Sequence, residues 1–337
     1  MLCCPNLNLD KIMKQVLSIF GFFLLLACQQ QSVDQPEKPN DQNVVEAIDQ
    51  RNGVWITVLG NVQDGGSPHM GCEKECCREL FQNPDKERKV SSLGVIDYRF
   101  NRSYIFDATP DFTSQLKYLN RKMSVGANLI DGVFLTHAHI GHYTGLMYLG
   151  REAMGADSVP VYTMPRMTNY LISNGPWSQL VELGNIELLD MQEGDTLILS
   201  ELLTVTPFTV PHRDEFSETV GYKIIGPRKT ALFIPDINKW SLWEKSIVEE
   251  IAKVDMAFLD ATFYDENEVN RDMSEIPHPF VVETMQLFQN ADIREKRKIT
   301  FIHFNHTNPL LDINSLESEL VLSKGFNIAT FGEEFAL

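Results

Sequence analysis

Apolar and polar residues alternate along the chain in two kinds of pattern. Short apolar runs bounded by Gly, Pro, Asn or Asp are typical of β-strands, and apolar positions three and four residues apart are typical of amphipathic helices. The runs predict strands over 54–60, 94–98, 103–107, 132–136, 159–163, 196–199, 203–210, 220–225, 231–234, 256–260 and 299–303. The spaced positions predict helices over 111–122, 142–154, 164–174, 240–252, 281–289 and 313–323. Strands mixed with helices in this order predict an α/β fold in which helices cover sheets on both sides.

The first 27 residues have a different pattern, which predicts a signal peptide. A basic start is followed by an apolar run of signal-peptide length, too short for a comfortable transmembrane span. Met13 is a candidate for the true start, and an unusually long basic region is the alternative. Residues 25–28 resemble a bacterial lipobox, which implies lipid modification of Cys28. Because Gln29 follows the cysteine, the expected location is the outer membrane of a Gram-negative bacterium, facing the periplasm or the cell surface.

Composition adds little about the fold but excludes one class of partner. Residues 28–50 are rich in Gln, Asp, Asn, Pro and Glu, which predicts a flexible tether, and 51–337 is interpreted as one continuous domain. A hydrophobic content of 43% is normal for a globular core. The formal net charge of -17 argues against a surface for nucleic-acid phosphates, which needs clustered Lys and Arg. The expected partners are a small-molecule substrate and, through the lipid on Cys28, a membrane.

Ligand-type residues are concentrated where the predicted strands end. His137, His139 and His142 follow the strand at 132–136 within six residues, and neutral imidazole is the commonest ligand for zinc and related ions. A single histidine there would more often be a solvated or core residue. Four further predicted strands also end in a ligand-type residue, which favours a convergent metal cluster. These residues are His212, Asp236, Asp260 and His303.

The His-x-His-x-x-His segment, with a later His, Asp and His at strand ends, resembles the metallo-β-lactamase superfamily. This resemblance covers about residues 54–335 and implies an αββα sandwich with the metal in the crevice between two sheets. It also implies a set of ligands: His137, His139 and His212 for a first metal, His142 and His303 for a second, and Asp236 as a bridge between them.

One position departs from the superfamily pattern. Members with two metals usually carry Asp where this chain has Gly141, and loss of that carboxylate predicts a second metal that binds more weakly or is absent. A mononuclear site and a second site completed by water or another residue are the alternatives. Within the superfamily, three separate stretches resemble the pyrroloquinoline quinone biosynthesis B branch. They are residues 59–68, 160–166 and 303–309.

Residues 69–77 predict a second, structural metal site. Cys72, Cys76 and Cys77 offer soft thiolate ligands, and His69 offers an imidazole. In an exported protein disulfides are the alternative, but three thiols cannot all pair within one chain once Cys28 is acylated, so zinc is favoured. Resemblance to a phosphodiesterase branch of phosphonate breakdown implies the ligands Cys72, Cys77 and His306, with Cys76 or His69 as the fourth.

Polar residues outside these clusters are candidates for supporting roles. His278 lies between two prolines, whose stiff backbone would present its ring to the crevice as a general acid or phosphate contact. The alternative is a surface loop histidine. Asp107 and Asp111 occupy positions where superfamily members keep a carboxylate behind the ligands, and Asp260 is assigned to the same set. For Asp111 the alternative is an N-cap of the helix that follows.

The sequence therefore favours a lipid-anchored metallo-hydrolase that uses metal-activated water, with Asp236 orienting that water or the second metal. The expected cofactor is zinc, with one or two ions in the active site and one structural ion, and iron or manganese as alternatives in the active site. A phosphodiester or another small ester-like substrate is favoured because the cysteine arrangement resembles the phosphodiesterase branch. Two other hypotheses are an oxidative or accessory enzyme of quinone biosynthesis and a non-catalytic metal-containing surface binding protein.

Overall fold

Two seven-stranded sheets form the centre of the structure, a computed structural model that describes residues 52–269, 272 and 276–337. The predicted signal peptide 1–27, the start at Met13, the lipidation site Cys28 and the tether 28–50 lie outside the described residues. Within the described part of the chain, no helix is both long and apolar enough to span a membrane.

The first sheet combines strands from the first half of the described chain with one from its C-terminal end. Its strands are β1 (Val54–Gly60), β2 (Ser92–Asp97), β3 (Arg102–Phe106), β4 (Gly132–Phe134), β5 (Val159–Thr163), β6 (Ile186–Asp190) and β14 (Glu334–Ala336). Their order is β14-β1-β2-β3-β4-β5-β6. Pairing is antiparallel from β14 to β3 and parallel from β3 to β6.

The second sheet repeats this plan with the second half of the chain. Its strands are β7 (Leu197–Ile198), β8 (Thr204–Thr209), β9 (Val220–Ile225), β10 (Thr230–Ile234), β11 (Met256–Asp260), β12 (Ile299–Ile302) and β13 (Asn327–Ile328). Their order is β13-β12-β11-β10-β9-β8-β7. The pairs from β13 to β10 are parallel and those from β10 to β7 are antiparallel, so each sheet is mixed.

Aromatic side chains fill the space between the two sheets. Phe134 stacks on Phe106 with ring centroids 4.8 Å apart and on Tyr162 at 4.2 Å. From the second sheet, Tyr222 and Phe233 meet Phe106 edge-on at 5.2 and 6.3 Å. Burial of this apolar surface is the main source of stability for the sandwich, and it fixes how the strand ends of one sheet face those of the other.

Helices cover the outer face of each sheet. The helices of the described residues are α1 (Glu75–Arg78), α2 (Phe112–Asn120), α3 (Ile140–Tyr143), α4 (Pro165–Ser173), α5 (Trp177–Glu182), α6 (Ile247–Ala252), α7 (Val281–Leu287), α8 (Ile293–Lys296) and α9 (Leu316–Ser323). Short 3₁₀ helices lie at Thr144–Leu149, Trp240–Leu242 and Pro309–Leu311. Apolar residues of α2, α4 and α5 pack on the first sheet, and those of α6, α7 and α9 pack on the second. The predicted αββα sandwich is confirmed.

The elements differ from the predictions in a few places. The predicted helix 142–154 is divided into α3 and a 3₁₀ helix, because Gly145 approaches the loop after β3 and donates its N–H to the Ala108 carbonyl at 2.8 Å. A side chain there would meet the Thr109 carbonyl oxygen at 2.2 Å from its Cβ, so only glycine fits. The predicted helix 240–252 is likewise a 3₁₀ turn followed by α6. Strands β6, β13 and β14 were not predicted.

Candidate metal centre

The predicted ligands converge because the strands that carry them end at one edge of the sandwich. In the second sheet β10, β11 and β12 are parallel, so Asp236, Asp260 and His303 emerge from the same side. The first sheet contributes His137 and His139 from the loop that follows β4. Crevices at the carboxyl ends of parallel strands are where α/β proteins usually bind ligands.

The first ligand set consists of His137, His139, His212 and Asp236. His139 Nδ1 lies 2.8 Å from His137 Nε2 and 3.3 Å from His212 Nε2. Asp236 Oδ2 lies 3.3 Å from His137 Nε2 and 3.2 Å from His212 Nε2. Tetrahedral ligands about 2.1 Å from one zinc ion lie roughly 3.4 Å from one another, so these four atoms fit the shell of a single ion.

The second ligand set consists of Asp64, His142, Asp236 and His303. Asp64 Oδ1 lies 3.1 Å from His142 Nε2 and 3.3 Å from His303 Nε2. Asp236 Oδ2 is 3.8 Å from His142 Nε2, so the same carboxylate belongs to both sets. We call the union of the two sets the histidine centre.

Each ligand set draws equally on the two halves of the fold. The half that contains β1 to β6 supplies His137 and His139 to the first set and Asp64 and His142 to the second. The half that contains β7 to β13 supplies the rest, and Asp236 contributes to both. Neither half holds a complete set, so the centre depends on the packing of one sheet against the other.

Hydrogen bonds behind the ligands orient their rings in two similar networks. In the first, the hydroxyl of Thr136 donates to Asp107 Oδ2 at 3.0 Å and accepts from His137 Nδ1 at 2.9 Å. Asp107 Oδ2 also accepts from His142 Nδ1 at 2.7 Å, which leaves Nε2 of His142 facing the centre. Such outer partners fix the tautomer of a ligand histidine, so the predicted supporting role of Asp107 agrees with its position.

The second network repeats this arrangement around Asp260. The hydroxyl of Thr262 donates to Asp260 Oδ1 at 2.7 Å and accepts from His303 Nδ1 at 2.9 Å. Asp260 Oδ2 accepts from His278 Nδ1 at 2.8 Å. His278 is 7% exposed, so the alternative of a surface loop histidine is wrong. Asp107 and His303 both have positive φ values, of 70° and 71°, a conformation that costs about 1–3 kcal/mol and is held by these contacts.

Burial and neighbouring charges shift the pKa values of three groups in or beside the histidine centre. Burial opposes ionisation, but His212 and His278 hold the pKa of Asp236 well below its usual value. Burial, followed by the charge on His142, lowers the pKa of His137, which favours the neutral imidazole that binds metals. For His278 burial is opposed by Asp260 and Asp236, which raise its pKa to about 10.

A buried oxygen supports metal binding here on grounds independent of the ligand count. Asp236 Oδ1 is buried and accepts no hydrogen bond within the described residues. It lies 3.1 Å from His278 Nδ1, but that nitrogen is aligned with Asp260 and not with Asp236. The other oxygen, Oδ2, faces the Nε2 atoms of His137, His142 and His212, and a buried carboxylate directed at neutral imidazoles costs free energy unless a cation lies among them. The residues therefore fit a metal ion.

Cysteines gather at a second place, outside the sheets. Cys72, Cys76 and Cys77 are unpaired thiols with Sγ atoms within 4.8 Å of one another. The rings of His69 and His306 stack beside them with centroids 4.5 Å apart. We call these five residues the cysteine centre. Its cysteines lie on or next to α1, where Cys72 and Cys76 are partly exposed and Cys77 is buried.

The chemistry of the cysteine centre also fits a metal. His306 Nδ1 is buried without a hydrogen-bond partner in the described residues. Burial and the neighbouring His69 and Lys74 lower the pKa of His306 to about 4, so its imidazole is neutral at physiological pH. Three thiols and a neutral imidazole form a soft ligand set typical of structural zinc. Which ligands complete this site stays a prediction.

One expectation about carboxylates needs correction. Asp111 does not support the ligands: its carboxylate accepts the N–H of Val90 at 2.8 Å, and it does not cap α2 with its side chain either. Asp111 stands at the N-cap position of α2, but its carboxylate turns to the loop before β2 and is occupied by the N–H of Val90. At Gly141 the alternative of another residue agrees with the structure, because the carboxylate of Asp64, from the loop after β1, lies beside Gly141 and His142.

Asp64 is the functional residue that sequence reasoning missed. It stands in the 59–68 stretch, but no strand ends beside it and it is 78 positions from His142. A signal was nevertheless present, because an acidic residue precedes Gly65 and Gly66 where a turn would bring backbone close to another element.

Comparison with known families and proteins agrees with this geometry. A family model described as "Beta-lactamase superfamily domain" matches residues 102–304. The chain is 27% identical to coenzyme PQQ synthesis protein B of Gluconobacter oxydans over 311 residues, which cover 84% of this chain and 99% of that protein. The same protein of Nitrosococcus oceani is 25% identical over 319 residues, covering 84% and 100%.

Solved structures show the same fold. Zn(2+)-bound PqqB from Methylobacterium extorquens superposes with a TM-score of 0.68 and 21% identity, covering 84% of this chain and 100% of that one. A diphosphatase from the PhnP family superposes with a TM-score of 0.58 and 21% identity, covering 85% and 97%. At this level of identity the likeness concerns the fold. The predicted similarity to both branches is confirmed, and the PqqB structure shows that zinc binds to that relative.

Proposed function

The chain belongs to the beta-lactamase superfamily, and on that premise we propose that it is a metal-dependent hydrolase of a small phosphodiester or a similar ester. One observation carries the proposal: two ligand sets, each of four residues, share the buried carboxylate of Asp236. Paired metal sites of this kind are suited to clamp the two oxygens of an in-line displacement at phosphorus.

The metal would supply Lewis acidity and a water activated at neutral pH. The protein's own part is to hold Asp236 between the two sets and to exclude bulk water from it. Asp236 accepts no aligned hydrogen bond through Oδ1, so that oxygen is available to orient the attacking water.

His278 is the proposed general acid. Its Nδ1 donates to Asp260 at 2.8 Å, and the two neighbouring carboxylates raise its pKa to about 10, so the ring carries a proton at neutral pH. A cationic, buried imidazole beside the ligands suits a phosphodiester, whose charge it would offset and whose leaving oxygen it would protonate through Nε2. The diphosphatase among the structural neighbours is consistent with this class of substrate.

An aromatic wall is proposed to hold the organic part of the substrate. Phe216 is 58% exposed and its ring lies 5.5 Å from that of Tyr170. Tyr170 bonds through its hydroxyl to Tyr143, which follows the ligand His142. On the other side Glu215, next to Phe216, lies 3.5 Å from His139 Nε2. The wall therefore begins at the ligands and extends to the surface.

Turnover of a substrate panel tests the proposal. The zinc- and manganese-loaded protein would be assayed on bis(4-nitrophenyl) phosphate, a carboxylic ester, a lactone and a lactam, and the phosphodiester should be hydrolysed fastest. His278→Gln should lower kcat by roughly 10²–10⁴-fold with its metal content unchanged. Absence of turnover on every substrate, or an unaltered rate in His139→Ala, would favour a non-catalytic binding protein instead.

A second candidate is an oxidative or accessory role in the biosynthesis of a quinone cofactor, which similarity to the coenzyme PQQ synthesis proteins would imply. What favours it is that the similarity extends over 99–100% of those two relatives. The test is metal analysis after aerobic and anaerobic purification, together with an oxygen electrode. Iron in the histidine centre with consumption of oxygen would support this candidate and exclude the hydrolase.

We also propose that the protein is an exported lipoprotein anchored through Cys28. The support is the apolar run that ends in residues 25–28 and the polar tether that follows. Cell fractionation would place the wild-type protein with the outer membrane. Cys28→Ala should remove lipid labelling and release the protein from that fraction. An unchanged distribution would contradict the proposal.

A further inference from the structure

Asp64 reaches the histidine centre from a loop that has no other part in it. The loop joins β1 to β2, and Asp64 directs Oδ1 toward His142 Nε2 and His303 Nε2 at 3.1 and 3.3 Å. Its other oxygen accepts the N–H of Gly141 at 3.3 Å. Oδ1 therefore faces the second ligand set, and the hydrogen bond from Gly141 to the other oxygen holds the carboxylate in that orientation, although the side chain starts outside the sheets.

Gly141 is what admits this carboxylate. A Cβ at position 141 would lie 2.5 Å from Asp64 Cγ and Oδ1 and 2.8 Å from Asp64 Cα. Real Cβ atoms do not approach other heavy atoms so closely, so any side chain at 141 would displace Asp64. A glycine at 141 and a carboxylate at 64 are thus one structural feature, and the second ligand set has four members because of it.

The loop that carries Asp64 also carries four of the five residues of the cysteine centre, all except His306. His69 donates its backbone N–H to Cys77 Sγ at 3.3 Å. The His69 ring lies against Gly65, where a Cβ would meet its Cδ2 at 2.6 Å, and Gly65 follows Asp64 directly. Movement of His69 therefore acts on the neighbour of the ligand.

A second contact of His69 leads to the segment that carries His303. His69 stacks on His306, which comes three residues after His303. Backbone hydrogen bonds join the segment before Asp64 to the segment after His303, from Gln63 N to Phe304 O at 2.8 Å and from Phe304 N to Asn61 O at 2.7 Å. The histidines of the cysteine centre thus touch both segments that supply Asp64 and His303.

From these contacts we propose that Asp64 is a metal ligand of the second set and that a metal in the cysteine centre controls its placement. Filling of the second active-site position then depends on the cysteine centre, and filling of the first position does not. The inference rests on the proposed metal centre, but it concerns metal binding alone and is independent of which reaction the protein catalyses.

The ligand role of Asp64 is tested by counting metals. The full chain, purified in detergent, would be stripped, reloaded with zinc and analysed by mass spectrometry, and about three ions per chain are expected. Asp64→Asn and Gly141→Ala should each hold about one ion fewer, the second because its new methyl group displaces Asp64. Asp85→Asn, an exposed carboxylate of the same loop, is the matched control and should keep all three.

The dependence on the cysteine centre is tested with cobalt(II), which absorbs differently with thiolate and with histidine ligands. Cys72→Ser should lose the thiolate band and, in chelator competition, bind the second histidine-centre ion about 10–100-fold more weakly, with the first ion unaffected. Met70→Ala, 92% exposed in the same loop, should behave as wild type.

Either of two results would overturn the proposal. Full zinc content and affinity in Asp64→Asn would exclude its ligand role, and unchanged histidine-centre affinities in Cys72→Ser would exclude control by the cysteine centre. Circular dichroism separates these results from misfolding, and His306→Asn gives a second variant if Cys72→Ser does not fold. Loss of hydrolysis alone bears on the proposed function and not on this inference.

Discussion

The histidine centre and the cysteine centre position their candidate metal ligands in different ways. Ligands of the histidine centre stand at or near the ends of buried strands, and hydrogen bonds to Asp107 and Thr262 hold the rings of His142 and His303 from behind. The cysteines stand together in one loop and on a four-residue helix, and Cys72 and Cys76 are partly exposed. Two packed sheets hold the ligands of the histidine centre in place. In the cysteine centre, little besides the ligands themselves holds them in place.

This difference corresponds to two roles of a bound metal, one in chemistry and one in ordering the chain. In the histidine centre the protein fixes the ligands first, which suits chemistry because geometry is set before the ion arrives. In the cysteine centre the free energy of binding an ion would itself order the loop, as in small zinc domains. The contact between His69 and Gly65 connects the two, so under the proposed coupling an ordered loop is a condition for a complete second ligand set.

The largest expected effect comes from the carboxylate shared by both ligand sets. Asp236→Asn removes the negative charge that bridges them and should lower kcat/KM on a phosphodiester by roughly 10³-fold or more. Metal analysis should show loss from the histidine centre, with the cobalt–thiolate band of the cysteine centre retained. Loss of that band as well would mean that the two centres are not built separately.

A smaller effect is expected behind the ligands. Asp107→Asn weakens the hydrogen bond to His142 Nδ1 and should lower the metal affinity of the histidine centre by about 10–100-fold. Asp111→Asn is the control, because Asp111 bonds to Val90 N and not to a ligand. Chelator competition measures both. Equal losses in the two variants would contradict the distinction drawn between these carboxylates.

Within the cysteine centre, the stability lost when a cysteine is replaced should follow how deeply its thiol is buried. In metal-free protein Cys77→Ser should lower the free energy of unfolding by about 1–2 kcal/mol, because Cys77 is fully buried and accepts the N–H of His69. Cys76→Ser should cost less than half as much, since Cys76 is partly exposed. Urea unfolding provides the comparison. A reversed order would mean that the loop is not packed around Cys77.

An effect of about the same size as that of Cys77→Ser concerns the segment between His303 and His306, and it depends on pH. Glu268 accepts from Tyr264 N at 2.6 Å and from Asn305 Nδ2 at 3.4 Å, and Thr307 donates to it as well. Burial raises its pKa from 4.5 to about 7. A carboxyl group with a raised folded pKa stabilises the fold below its unfolded pKa, and this contribution is lost as pH rises through 7.

The wild type should therefore lose about 1–2 kcal/mol of stability relative to Glu268→Gln between pH 5 and pH 8, after allowance for partial solvent exposure. Urea midpoints of both proteins at pH 5, 6, 7 and 8 measure the difference. A constant difference across this range would show that Glu268 does not titrate there.

Much of the fold was predictable because its signals are local. An apolar run such as Val220–Ile225 or Met256–Asp260 specifies a strand through its own residues, and the structure has both strands with those bounds. Strand β14 carries no comparable signal. It exists because Trp55 pairs with Ala336 and Thr57 with Glu334, and pairing over such a distance along the chain leaves no local pattern.

The same reasoning explains which site residues could be anticipated. His137 and Asp236 follow apolar strands directly, so residue type and position were visible together. Asp64 acts only through its approach to Gly141, and in the sequence that glycine resembled a lost ligand. Asp107 and Asp111 could not be distinguished in the sequence, because both follow β3 closely. Only the fold shows that Asp107 accepts from His142 and that Asp111 accepts from Val90.

The equal division of ligands between the halves makes each bound ion a non-covalent cross-link from sheet to sheet. An ion in the first set joins His137 and His139 to His212 and Asp236 across the sandwich. If the chain were cut between β6 and β7, neither fragment would keep a complete site, and added zinc should draw the two fragments together. The protein would then act as a metal-dependent split reporter, in which reassembly of the halves reads out the free ion concentration.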